Sequence, residues 1–140
     1  RPIVYEETYE VLDMLQNQYE LLLLTNGSPE LQGEKLEGVP KLASYFAHIV
    51  VSGSFGEGKP SPKLFRHVLD LARIQPHEGV MVGDKLTTDI RGALNIGLHS
   101  VWINRTGMRA DGDIQPKFEI DSLHGIFDVL QSLNGQAHQV

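Results

Sequence analysis

An α/β fold built on a parallel sheet is predicted by three features of the sequence. Apolar runs of strand length alternate with segments whose apolar residues recur every three or four positions. The strand-like runs are apolar throughout instead of alternating, as in strands covered on both faces. Several end in a polar residue beside a glycine, which is how a parallel sheet presents reactive groups at its carboxyl edge. With short connections, this order implies a three-layer, Rossmann-like sheet with right-handed crossovers.

Tyr5, Tyr9, Leu12 and Leu15 mark the buried face of a first helix that ends near Asn17. Leu21 to Leu24, bounded by Tyr19-Glu20 and Asn26-Gly27, form the first strand. Ser28-Pro29 is an N-cap followed by a first-turn proline, so a helix starts there. His48 to Ser52 is a second strand opening into a flexible loop with Gly53, Gly56 and Gly58. Ser61-Pro62 repeats the start signal, and Leu64, Phe65, Val68, Leu71 and Ala72 supply the apolar stripe behind it. Val80 to Val82 is a third strand, and Ile90, Ala93 and Leu94 line a helix that Gly97 terminates as a left-handed cap. Ser100 to Ile103 is a fourth strand, a polar loop runs from Asn104 to Pro116, and Phe118 to Ile120 is a small fifth strand. Leu123, Ile126, Phe127 and Leu130 mark the last helix. The expected core is 1–133, with 134–140 a frayed tail.

The chain of 140 residues, 41% of them hydrophobic, suffices for one buried core. Its 18 acidic and 12 basic side chains leave a net charge of -6 with no basic stripe, which argues against a nucleic-acid partner. The absence of cysteine rules out disulfides and a thiolate nucleophile and fits a reducing, cytoplasmic setting. The longest apolar run, around Leu21 to Leu24, is far short of the roughly 18 residues of a membrane span. Arg1 in place of Met leads to the expectation of a trimmed chain that has lost an upstream segment.

Three constellations carry chemistry. Thr25-Asn26-Gly27, at the end of the first strand, offers a hydroxyl and two backbone N–H groups to an anion such as phosphate, or serves only as a turn. Lys59, between Gly58 and Pro60, is either a solvated loop residue or a cation aimed at acidic groups or a phosphoryl oxygen. The sequence around it is not a Walker motif. Asp84 and Asp89, five residues apart, either cap the following helix or converge on one hard cation such as Mg²⁺. The six histidines show no metal-binding spacing, and no G-x-S-x-G elbow is present.

Taken together, L-L-L-L-T-N-G, G-K-P-S-P and V-M-V-G-D-K-L-T-T-D resemble motifs II, III and IV of the haloacid dehalogenase-like (HAD) hydrolase superfamily, over about Ile3 to Ile103. The wording around T-N-G and V-W-I-N resembles the subgroup of small-molecule phosphatases that includes N-acylneuraminate-9-phosphatase. The resemblance implies a Mg²⁺-dependent phosphatase that acts on a small phosphorylated metabolite through an aspartyl-phosphate. In that reading Thr25, Asn26, Gly27 and Lys59 hold phosphate, Lys59 and Asp89 are catalytic, and Asp84 and Asp89 face the metal. A non-catalytic phosphate- or metal-binding module, a dehalogenase and a phosphomutase are the alternatives.

The family's first motif, D-x-D-x-T on an apolar strand, has no match here. Asp13 lies on a predicted helix, and Asp111-Gly112-Asp113 reads as a turn in a polar loop. The expected core therefore lacks the nucleophile strand and the cap. Its central gap is expected to be filled by the missing N-terminal segment, by a partner chain, or by direct pairing of the strands on either side. Alone, the chain is expected to be inactive.

Overall fold

The computed structural model describes residues 6–110 and 112–137. Helix α1 (Glu6–Leu15) precedes β1 (Leu22–Thr25), α2 (Pro29–Glu37) and the short α3 (Pro40–Ala43). Strand β2 (His48–Val51), the single turn α4 (Ser52–Phe55) and α5 (Pro62–Ala72) come next. Strand β3 (Val80–Gly83) leads through a π-helical turn at Leu86–Ile90 into α6 (Arg91–Ile96), then β4 (His99–Ile103), β5 (Phe118–Ile120) and α7 (Ile126–Ala137). Tyr5, predicted to open the first helix, lies outside the described residues.

Every strand pairing is parallel, but the strands form two sheets. In one, β1 pairs with β2, Leu22 opposite His48 and Thr25 opposite Val51. In the other, β3 pairs with β4 and β4 with β5, Gly83 opposite Trp102 and Ile103 opposite Ile120. Strands β1 and β3 do not pair with each other, so the direct-pairing option for the central gap is not the one the chain takes. Burial reflects this. Ser100, Val101 and Trp102 of the flanked strand β4 are buried, whereas Leu22 to Leu24 of β1 and Val80 to Val82 of β3 are only half-buried. Strands this apolar with one open edge would normally be covered or paired.

Helices cover both faces of the three-stranded sheet. On one face Val11 of α1 and Ile126 and Val129 of α7 pack with Val101 and Ile120. On the other, Ile90 and Ile114 pack with Trp102. Helix α5 contributes the buried Leu64, Phe65 and Leu69. Phe65 lies so close to Gly92 of α6 that a Cβ there would meet its ring at 2.2 Å, so glycine is what lets α5 and α6 approach. The hydroxyl of the buried Tyr45 donates to Asp13 of α1, a bond that with burial raises its pKa to about 12.

Several boundaries differ from the sequence expectation. Helix α1 stops at Leu15, and Val11, not Tyr9, is its most buried residue. Strand β2 ends at Val51, because Ser52 turns inward to start α4, and Gly56 closes that turn with φ +99°. Leu94, expected to line a buried face, is 40% exposed because Phe65 fills the adjacent side of α6. Gly97 ends α6 with φ +83°, as expected. Helix α7 runs on to Ala137, past the point where the frayed tail was expected, since no proline interrupts its backbone ladder. Among the described residues no helix is long and apolar enough to cross a membrane.

Candidate active site

The carboxyl ends of β1 and β3 face a cleft of about 370 Å³, lined by Leu24, Met81 and Val82 with Lys59, Asp84, Asp89 and Arg105. Strand side chains supply its apolar part, and the segments beyond the strand ends supply its charges. Lys59 arrives from the loop after β2. Its Nζ donates to Asp89 Oδ1 at 2.6 Å, and the two side chains are only 12% and 6% exposed. The other Asp89 oxygen accepts from the Lys85 backbone N–H at 3.3 Å. Asp89 sits on the π-helical turn, and Gly83 lets it come this close to β3, since a Cβ at Gly83 would lie 2.3 Å from that of Asp89. The pair thus holds an ammonium in the cleft by a buried, charge-assisted bond.

Asp84 differs. It lies just past β3, is exposed, and among the described residues no hydrogen bond or ion pair engages its carboxylate. Its backbone carbonyl accepts from Trp102 Nε1 at 3.0 Å. Among the described residues no group of three or more His, Cys, Asp or Glu side chains is placed to hold a metal ion. A hard cation such as Mg²⁺ takes one or two carboxylates together with water and phosphate oxygens, and the exposed Asp84 carboxylate is a donor of that kind.

The Thr25-Asn26-Gly27 turn is tied to the lysine loop by bonds that residue spacing did not reveal. The Asn26 carboxamide accepts from the Lys59 backbone N–H at 2.8 Å, while Gln32 Nε2 donates to the Asn26 carbonyl at 2.8 Å. The Thr25 hydroxyl donates to the same carbonyl at 3.2 Å. The expectation for Gly27 needs correction. Its N–H does not face the cleft as an anion donor; it donates to Ser52 Oγ at 3.1 Å, and the Gly27 carbonyl accepts from Gly53 N at 2.9 Å. This pair of hydrogen bonds to the start of α4 is why Ser52 is buried and Gly53 has no room for a side chain.

The two other aspartate candidates stay away from the cleft. Asp13 accepts from Tyr45, and Asp113 pairs with Arg91 beside Gly112, whose φ is +88°. Asp111 lies outside the described residues. Arg105, not singled out in the sequence, comes after β4 at the cleft and its guanidinium pairs with Glu7 of α1. That bond holds the Glu7 pKa below its ordinary value.

Residues 1–97 match the family described as haloacid dehalogenase-like hydrolase. The chain belongs to that family. The N-acylneuraminate-9-phosphatase of Rattus norvegicus is 42% identical over 131 residues, 92% of this chain and 52% of the relative. The phosphoserine phosphatase of Thermus thermophilus is 42% identical over 107 residues, 76% of this chain and 43% of the relative. The crystal structure of 2-haloacid dehalogenase from Pseudomonas syringae pv. Tomato superimposes with a TM-score of 0.84 at 31% identity, covering 93% of this chain and 54% of that one. This HAD-like chain therefore spans about half the length of the curated relatives it matches.

Proposed function

We propose that the protein to which this chain belongs is a Mg²⁺-dependent, cytoplasmic HAD-like phosphatase of a small phosphorylated metabolite. The observation that carries this reading is the buried Lys59–Asp89 pair beside the unengaged carboxylate of Asp84, in one cleft. The phosphatase relatives support the same class of substrate.

In this reading Lys59 balances the negative charge of the phosphoryl group and Asp89 keeps the ammonium in place. The Thr25 hydroxyl and the backbone at Asn26 face phosphoryl oxygens. Asp84 would hold Mg²⁺, with Asp89 next to it. The bound ion would supply positive charge between two anions that otherwise repel. The nucleophile is an aspartate from outside these residues, on a strand seated between β1 and β3. Its carboxylate attacks phosphorus as the ester bond breaks, a second acid protonates the leaving alcohol, and water then cleaves the acyl-phosphate. The half-buried leucines of β1 and valines of β3 support a strand in that position. An upstream segment of the same protein is the proposed occupant, and a partner chain is the alternative.

A second reading, dehalogenation, is favoured by the likeness to the P. syringae enzyme. One assay separates the two. The protein carrying its upstream strand is given N-acylneuraminate 9-phosphate, phosphoserine and 2-chloropropionate, and released phosphate and chloride are measured. Phosphate release is expected, and release of chloride alone would overturn the assignment.

A further inference from the structure

We propose that Trp102 is a positioning residue for Asp84, with its indole N–H fixing the backbone that aims the Asp84 carboxylate. For the metal this rests on the function proposed above, but the geometry stands by itself. Asp84 lies between the end of β3 at Gly83 and Lys85, whose carbonyl accepts from the Asp89 and Ile90 N–H groups at the start of the π-helical turn. At this junction the Asp84 carbonyl takes its hydrogen from Trp102 Nε1, at 3.0 Å. Trp102 is opposite Gly83 in the β3–β4 register and only 2% exposed. Ile90 and Ile114 share its buried cluster, and Leu86 and Ala110 pack against that cluster.

A buried indole N–H needs an acceptor, and many tryptophans meet that need at an arbitrary carbonyl. Here the carbonyl belongs to the residue whose carboxylate is exposed and unengaged. Ile90, which packs on the same ring, is the residue directly after Asp89, the partner of Lys59. The ring therefore backs both charged elements of the cleft.

Trp102 is the only tryptophan, so replacing every tryptophan with its sulfur analogue, benzothienylalanine, removes this one N–H and keeps the ring. Trp102→Phe is the second variant, with a smaller ring. The readouts are the amide resonances and order parameters of Asp84 and Lys85 without metal, Mn²⁺ affinity, and the thermal midpoint, with Asp84→Asn as the metal-site control. Loss of order at Asp84 in the sulfur analogue, with the midpoint lowered by no more than the few degrees that one lost hydrogen bond costs, is the expected result, together with Mn²⁺ binding weakened about 10-fold or more. Unchanged Asp84 resonances would overturn the proposal whatever the metal does. If no form binds Mn²⁺ but Asp84 still loses order, the positioning role stands and the metal assignment fails.

Discussion

Breaking the Lys59–Asp89 pair from either side should have unequal effects. Both side chains are nearly buried, at 12% and 6% exposed, so solvent screening gives little relief when one partner goes. Removing one member of a buried pair typically costs about 3–5 kcal/mol, because the other charge is left uncompensated. For Lys59→Met the stranded group is Asp89, a short side chain on a packed turn that is only 6% exposed. It keeps only the Lys85 N–H, so a loss of about 3 kcal/mol, the low end of that range, is expected. Asp89→Asn strands Lys59 instead, whose long stem on a loop can carry the ammonium to solvent, and a loss of about 1–2 kcal/mol is expected. The double variant should fall well short of the sum. Urea unfolding monitored by circular dichroism reads these values, and a 3 kcal/mol loss moves the midpoint by about 1–3 M. Equal effects of the two single variants, or an additive double variant, would refute the reasoning.

Gly83→Ala should destabilise the chain by about 1–3 kcal/mol, because the added Cβ would lie 2.3 Å from the Asp89 Cβ; a urea midpoint unchanged from wild type would contradict this. The Glu7 carboxyl, held down chiefly by its hydrogen bond from Arg105, adds stability that is present above pH 4.5 and lost as pH falls through its lowered pKa. Protection of the α1 amides, corrected for the intrinsic exchange rate at each pH, should therefore fall in acid, and Glu7→Gln should remove that dependence. Tyr45, raised to about 12 chiefly by its bond to Asp13, contributes stability that is complete below about pH 10 and lost as pH rises through about 12. Ultraviolet titration should find one phenol ionising near pH 12, and Tyr45→Phe should remove that step.

Much of the site was legible because strand ends announce themselves. Apolar runs that stop at Thr25 and Gly83 marked the strand ends, and Asp84 and Asp89 line one cleft with Lys59. What each polar group bonds to was hidden. The bonds from Gly27 to Ser52 and from Lys59 to Asn26 join residues 25 and 33 positions apart, and no local pattern encodes such pairs. The turn α4 was hidden too, because Ser52 continues the β-branched run of β2 and only its inward bond shows that the strand has ended. Asp89 was given both a lysine and a metal to face. Its two oxygens are taken by Lys59 and Lys85, which leaves Asp84 as the unengaged carboxylate. Trp102 looked like ordinary core, since aromatic periodicity says where a ring is buried but not where its N–H points.

The central claim is that these residues form half of a phosphatase site that is completed across the cleft between β1 and β3. Its most direct test is Mg²⁺-dependent turnover of p-nitrophenyl phosphate by the chain alone, and by the chain co-expressed with a D-x-D-x-T-bearing upstream segment and shown to co-elute with it. The account predicts no turnover in the first case, and turnover in the second that is abolished by Lys59→Met and Asp84→Asn. Turnover by the chain alone, or an inert complex with its strand docked, would contradict it.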